Sequence, residues 1–392
     1  MSDFAARAVS WLSEHAPASA DVSLEEAKAF QGALCDAGFA GITWPTEYGG
    51  QGLSMTEQMT FSGIAQKYNL PTHPFIIGMG MCGPTLLDLG TDEQKARHIK
   101  PLLRGEEIWC QLFSEPGAGS DVASLQSRAV RDGGDWVLNG QKVWTTNAQF
   151  ADFGAVLART DVDKPKHSGL TMFIVDMHAP GVNVRPLRVM TGNSPFNEVF
   201  FTDVHIPGDA VIGTVNDGWR AAVNMLGHER VSIGTSMAPR SDPLAFGSLL
   251  EAARRAGLSS DPAVRARLTE LYVRQQESRL LTVRMRQEAF AGKPIGARGS
   301  VAKLVGAVVA SHSADVAGSV AGPDAVGWLP DDQAAAELTT AVVGTPGIAI
   351  AGGTNEIQRN IIGERVLGLP KEPQVDRDVP FRDLKVGTQR TK

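Results

Sequence analysis

Three short runs of this 392-residue chain bring together groups that could do chemistry. In the first, QLFSEPGAGSD at 111–121, Gly117 and Gly119 let the backbone approach a large ligand closely, while Ser114 and Ser120 offer hydroxyls and backbone donors to phosphate oxygens. A serine- and glycine-rich turn is the plain alternative. It is not a dinucleotide fingerprint, because Val122 occupies the place of the third glycine in GxGxxG and no βαβ unit surrounds it. In the second, VWTTN at 143–147, Trp144 and Thr146 stand two apart on a strand, so an indole plane and a hydroxyl share a face. Both are also good strand formers and need mean no more than that. The third, GGTNEIQR at 352–359, opens a helix whose N-terminal amides near Gly353, Thr354 and Glu356 favour an anion, or which Thr354 simply caps. The glycine-rich run EYGGQG at 47–52 reads as a turn, since no strand precedes it.

These runs need a frame. Up to residue 108 the pattern is helical, with apolar residues at helical spacing over 23–37 and a capping box at Thr91 to Gln94. Over 109–215 the period is that of strands: WCQLFSE, RAVRD, DWVLNG, QKVWTT, GAVLART, LTMFIVD and NEVFFTDV, with Asn139-Gly140 as the clearest hairpin turn. Seven short strands predict a small antiparallel barrel or sandwich. Helices return over 216–370, including long ones near 262–291 and 297–321, and predict a bundle. The tail, 371–392, is proline-containing and charged, and reads as an extended arm or partly disordered segment. The fold class is therefore α+β, helical domain, β domain, helical bundle.

Composition narrows the classes of function. An apolar share of 43% is ample for packed cores. A net charge of −6 with dispersed Lys and Arg argues against a nucleic-acid surface. Cys35, Cys82 and Cys110 are far apart in the chain, so no CxxC pair or metal cluster is expected and a cytoplasmic setting is. No basic-then-apolar leader opens the chain, and no uninterrupted apolar run reaches the roughly 18 residues of a spanning helix.

The order helical, β, helical, together with the three runs, resembles the acyl-CoA dehydrogenase family over about 40–370. Residues 111–121 look like its flavin-binding signature. The resemblance implies FAD as cofactor, held by Gln111, Phe113, Ser114, Gly119, Ser120, Trp144, Thr146, Thr354 and Glu356, with Trp144 stacking on the flavin and Thr146 hydrogen-bonded to its N5. It implies a reaction in which a carboxylate removes the α-proton of an acyl-CoA thioester while the β-hydrogen leaves as hydride to flavin N5.

In many family members the base lies immediately before the Gly-Thr of the late motif, where this chain has Gly352. The long-chain and isovaleryl-type branch takes its base instead from a Glu-Arg pair opening the C-terminal bundle. GHERV at 227–231 matches that pair. The resemblance thus implies Glu229 as base and Arg230 as a substrate contact, with Ser120 also toward substrate; a solvated glutamate on a helix face is the bland alternative. The Gly352 backbone N–H and a flavin ribityl hydroxyl would donate to the thioester carbonyl. Lacking a Cβ, Gly352 would also leave room for branched or ring-bearing acyl groups. Two stretches depart from the family pattern: 319–327 lacks the Gln-x-x-Gly-Gly-x-Gly of the adenine contact, and 239–242 lacks an Arg-x-Thr/Ser-Phe signature. Similar truncated patterns occur in actinobacterial-type members. The implied partners are an acyl-CoA substrate, an electron-transfer flavoprotein and three further subunits, in a homotetramer or a dimer of dimers with a paralogue; no nucleic acid, membrane or metal is expected. A same-fold oxidase and a non-catalytic partner subunit are the competing readings.

Overall fold

The computed structural model describes residues 3–235, 242–291, 293, 296–322, 327, 329, 331–374 and 376–384, with only the backbone at 230, 231, 233–235, 289 and 290. The departures at 239–241 and 323–326, the Arg230 side chain and residues 385–392 lie outside the described residues. The chain forms two compact units: Met1–Val189 with Ser194–Glu229 and Pro373–Lys392, and Met190–Asn193 with Arg230–Glu372.

The first unit begins with helices that start where the sequence can cap them. Ser23 and Glu26 exchange hydrogen bonds at the start of α2 (Leu24–Asp36), Ser54 and Glu57 do so at α3 (Met55–Ala65), and Thr91 and Gln94 at α5 (Asp92–Leu103). Each box satisfies amide donors that the first turn leaves without a partner. α1 (Asp3–His15) and α4 (Gly83–Leu89) complete the set, and residues 46–52 make the expected turn, closed by Gly49 at φ 94°.

Eight strands form one sheet: β1 (Trp109–Leu112), β2 (Arg128–Asp132), β3 (Asp135–Thr146), β4 (Phe153–Arg159), β5 (Leu170–Asp176), β6 (Val182–Leu187), β7 (Phe196–Ile206) and β8 (Val211–Ile212). The order is β6-β7-β3-β2-β4-β5-β8, with β1 paired to β4. Most pairings are antiparallel as expected, but β1 and β2 both run parallel to β4. The β2–β3 hairpin lies between them in the chain and supplies the long connection that parallel neighbours require.

That hairpin corrects the strand reading. Asn139-Gly140 is not a turn: β3 runs straight through it, and DWVLNG and QKVWTT are one strand. The turn is Gly133-Gly134, flanked by the Asp132–Asp135 pair. At Asn139-Gly140 the β3–β7 register slips, which marks a bulge. Asn139 bonds side chain to side chain with Asp203 at 2.9 Å, and its Oδ1 accepts from the Asp203 amide at 2.9 Å. Gly140 is at φ 149°, and a Cβ there would lie 2.2 Å from Ser127 Oγ. The local chemistry suited to a turn was used to bend a strand instead.

A buried ion pair fastens the end of β1 to β3. Lys142, with no exposed surface, donates to Glu115 Oε1 at 2.8 Å and to the Phe113 carbonyl at 3.0 Å. The same carboxylate accepts from the Gln126 and Ser127 amides at 2.6 and 2.9 Å. Both oxygens of Glu115 thus accept from donors, the condition under which a buried charge is tolerated.

One apolar cluster ties the helices to the sheet: Leu86, Ile99 and Leu102 meet Trp109, Leu157 and Met172, and Ala221, Ala222 and Met225 of α6 (Gly218–Thr235). Burial of each large side chain stabilises by about 1.5–3 kcal/mol, which fixes where α6 leaves the sheet. Cys82 and Cys110 meet in this region, with Cys82 Sγ 3.7 Å from the Cys110 carbonyl, and burial pushes the Cys82 thiol up to about 12. Both thiols are free.

The second unit packs α7 (Phe246–Arg255), α8 (Pro262–Phe290), α9 (Gly299–Ala321), α10 (Gln333–Ile348) and α11 (Asn355–Ile361). By length and composition the helical segment Gly296–Ala321 could cross a membrane. Here α9 touches α7, α8, α10 and α11, which bury 28% of its apolar stretch. Its Val316, Ala317 and Val320 share a core with Leu249, Leu268 and Leu271.

Over 376–384 the tail is neither extended nor loose: it turns and ends in a short 3-10 helix, Phe381–Asp383. The Phe381 amide donates to Lys164 O at 2.9 Å and the Arg382 amide to Val162 O at 3.0 Å, and Phe381 is 6% exposed. An aromatic ring that finds a buried cation, Arg159, supplies what the charged tail composition did not reveal.

Two pairs of substitutions test this frame. Gly140→Ala should destabilise by about 1–3 kcal/mol through overpacking at a left-handed backbone, whereas Gly133→Asn, at φ 59° with open space around it, should be near neutral in urea denaturation. Lys142→Met should cost about 3–5 kcal/mol by stranding Glu115, and adding Glu115→Gln should recover much of it. Burial alone would raise the Glu115 carboxyl, but Lys142 and the Ser127 and Gln126 donors outweigh it and hold it below the ordinary value of 4.5. A lowered carboxylate stabilises fully above that value and loses its contribution as pH falls through the folded pKa. Acid titration below pH 4.5 should therefore destabilise the wild type more steeply than the double variant.

Candidate active site

The loop 114–121 leaves β1 and turns at once: Glu115 and Ala118 exchange backbone hydrogen bonds at 2.9 and 3.0 Å. The Glu115 side chain is drawn inward by Lys142, while Gly119 and Ser120 are left exposed. Nothing lies within 4 Å of where a Gly119 Cβ would be, so the loop offers backbone to an incoming group without obstruction. Gln111 and Ser114 are half-buried and Phe113 is buried. The Ser114 carbonyl accepts from the Val143 amide at 2.9 Å, which joins the first run directly to the second.

In the second run the expected alternation is interrupted. The β3–β7 register shifts between Lys142 and Thr145, and Trp144 adopts φ 60°. A bulky residue in the left-handed region is a strained outlier of the kind that clusters at functional sites. Trp144 is nonetheless 57% exposed, its ring edge-on to Phe196 at 5.6 Å. Thr145 between it and the half-buried Thr146 is buried. A large indole held open in strained backbone, beside an exposed loop of serine and glycine, fits a flat aromatic ligand carrying phosphates, and so fits FAD.

Glu229 sits on α6 and is only 8% exposed, which removes the solvated helix face as its setting. Gln111 Nε2 lies 3.5 Å from Glu229 Oε2. β1, carrying Gln111 toward the flavin loop, and α6 thus bring a carboxylamide and a carboxylate together across 118 residues of chain.

The third run belongs to the second unit. Thr354 caps α11, its side chain accepting from the Ile357 amide at 3.3 Å, as the structural alternative for that run required. Glu356 is exposed and pairs with Arg359 at 3.3 Å. Gly352 and Gly353 have φ 66° and 91°, conformations L side chains rarely adopt. The fully buried Gln358 donates to the Gly352 carbonyl at 2.8 Å, and Lys303 Nζ donates to the Gly353 carbonyl at 2.6 Å. Gln358 and Lys303, which hold this turn, were not singled out from sequence. Neither was Lys142 or Arg159. For Lys142 a signal existed: a lysine set among the apolar and β-branched residues of QKVWTT, where a charge needs a partner.

Comparison with known proteins finds three matched domains in chain order between residues 2 and 367. The description "Acyl-CoA dehydrogenase, N-terminal domain" matches residues 2–106, the "middle domain" 110–204 and the "C-terminal domain" 216–367. Acyl-CoA dehydrogenase FadE34 of Mycobacterium tuberculosis is 41% identical over 91% of this chain, which spans 48% of FadE34's length. Acyl-CoA dehydrogenase IpdE1 of the same organism is 37% identical over 89% of this chain and 90% of its own. The solved structure of the Tcur3481-Tcur3483 steroid ACAD superposes with a TM-score of 0.78 at 28% identity, covering 94% of this chain and 97% of that one. The strained Trp144, the open loop and the three matched domains lead to one conclusion: this chain belongs to the acyl-CoA dehydrogenase family, the FAD-dependent oxidoreductases that desaturate acyl-CoA thioesters.

Proposed function

We propose that the chain removes the α-proton of an acyl-CoA thioester with Glu229. The observation that carries this is the placement of a nearly buried carboxylate on α6 next to Gln111 of the strand that leads into the flavin loop. The Gln111 amide, 3.5 Å from the Glu229 carboxylate, places a donor beside the group that would take the proton. Gly352 supports the assignment from the other direction. A glutamate at 352 would have to adopt φ 66°, so a base is better supplied from elsewhere.

The remaining roles follow the family pattern on this chain's own residues. Trp144 stacks against the flavin, Thr146 hydrogen-bonds it, and Gln111, Phe113, Ser114, Gly119 and Ser120 line the loop that holds it. Thr354 and Glu356 contact the cofactor from α11. When bound, FAD supplies the acceptor for the two electrons released by desaturation. The Gly352 N–H, needing no side chain, stabilises negative charge on the thioester oxygen as the α-proton leaves, and Arg230 contacts substrate. We assign an electron-transfer flavoprotein as electron acceptor and a tetramer, of one chain or with a paralogue, as the assembly. The three free thiols support a reducing, cytoplasmic setting. For the substrate we assign a ring-bearing acyl group, because a relative carries the description steroid ACAD and position 352 carries no side chain.

Under anaerobic conditions acyl-CoA should bleach the yellow protein, and Glu229→Gln should slow bleaching by about 10²–10⁴ while leaving FAD bound. Bleaching at the wild-type rate would assign Glu229 a structural role, and a colourless wild type would favour the partner-subunit reading. In the same assay CoA thioesters with steroid-type rings should outpace straight chains of equal carbon number. Turnover of straight chains alone would refute the substrate assignment.

A further inference from the structure

The tail and the loop between β4 and β5 have no part in the reaction described, yet they converge on the far end of the flavin loop. Lys166, whose side chain is 15% exposed, places Nζ 3.1 Å from Asp121 Oδ2 and 3.2 Å from Asp376 Oδ2. Asp121 directly follows Ser120, and its carboxylate also accepts from the Ser124 hydroxyl. Arg159, buried beneath, donates to the Ala123 carbonyl at 2.6 Å and to the Lys166 carbonyl at 2.7 Å. The tail's Phe381 covers the Arg159 guanidinium, 3.7 Å from ring centroid to Cζ. One cation in the β4–β5 loop therefore joins the last residue of the flavin loop to the tail, and a second cation joins the backbone just beyond that residue to the same tail.

We propose that Lys166 is a positioning residue for cofactor binding, and that the tail segment 376–384 is the strap that holds Lys166 on Asp121. The physical reason lies in the two ends of the loop. At its start Glu115 is locked to Lys142, but Gly119 and Ser120 are exposed and touch little, so their placement depends on the far anchor. A glycine-containing loop pinned at both ends loses less conformational entropy when a ligand arrives than one pinned at a single end. Removing the cation frees the loop end and leaves Asp121 and Asp376 as like charges facing one another.

The inference rests on reading 114–121 as the flavin loop, and the experiment separates the two. FAD dissociation constants are measured by flavin fluorescence on full-length apoprotein reconstituted with FAD, for the wild type and for Lys166→Met, Lys166→Arg, Asp376→Asn and Trp144→Ala. Lys166→Met should weaken FAD about tenfold, equivalent to about 1.4 kcal/mol, and Lys166→Arg should restore most of it because the bridge needs a cation. Asp376→Asn, an isosteric change at a half-buried side chain that keeps 39% of its surface in solvent, should weaken FAD in the same direction. Wild-type affinity in Lys166→Met and Asp376→Asn with weakened binding in Trp144→Ala would overturn the strap and leave the flavin reading standing. Wild-type affinity in all of the variants would overturn both. Equal loss in Lys166→Met and Lys166→Arg would show that shape, not charge, matters there, and would also refute the bridge.

Discussion

The Glu115–Lys142 pair is the contact on which the cofactor side of the first unit depends. It is buried, with hydrogen bonds to both carboxylate oxygens and two from the ammonium, so either partner alone would be an uncompensated charge in the core. By drawing Glu115 inward, it leaves Gly119 and Ser120 on the outside of the loop. Lys142 comes from the same strand as Trp144, so the cation that anchors the loop also sets where the strained indole stands. Loop and stacking platform are parts of one object, joined a second time by the bond from the Val143 amide to the Ser114 carbonyl.

The base candidate reaches this object by a different route. The apolar cluster of α4, α5, the sheet and α6 is the main packing that directs a helix beginning at Gly218, helped by the Asn224 and His228 bonds to Asp88. Its burial energy, several side chains at about 1.5–3 kcal/mol each, is spread along the helix up to the turn before Glu229. The result is that a carboxylate 118 residues along the chain from Gln111 comes to 3.5 Å from its amide. The second unit uses another device for the same end of rigidity: two glycines in left-handed conformations, held by the buried Gln358 and by Lys303.

Much of this was legible before any coordinates. The capping box at Thr91, the helical spacing over 23–37, the long helices near 262–291 and 297–321, and the switch from helical to strand period are local signals that survive folding because they act within a few residues. Where local chemistry has two outlets, reading it fails. Asn139-Gly140 suits a type I′ turn and a bulge equally, and Asp203 on β7 decided for the bulge. Simple alternation did not foresee the strand's second irregularity, which puts Trp144 at φ 60°. The tail's charges suggested a loose arm, but the partner of Phe381 is Arg159, more than two hundred residues earlier.

By itself the sequence determined the helix starts, the order of helical, β and helical segments, and the residue types gathered in the three runs, since each depends on neighbours in the chain. Only the tertiary structure decided which charges were to be neutralised and by what: Lys142 for Glu115, Lys166 for Asp121 and Asp376, and the withdrawal of Glu229 from solvent. The physical reason is that the cost of a charge is set by its burial and by the distance to its counter-charge. Both are properties of packing, on which the spacing of residues along a chain is silent.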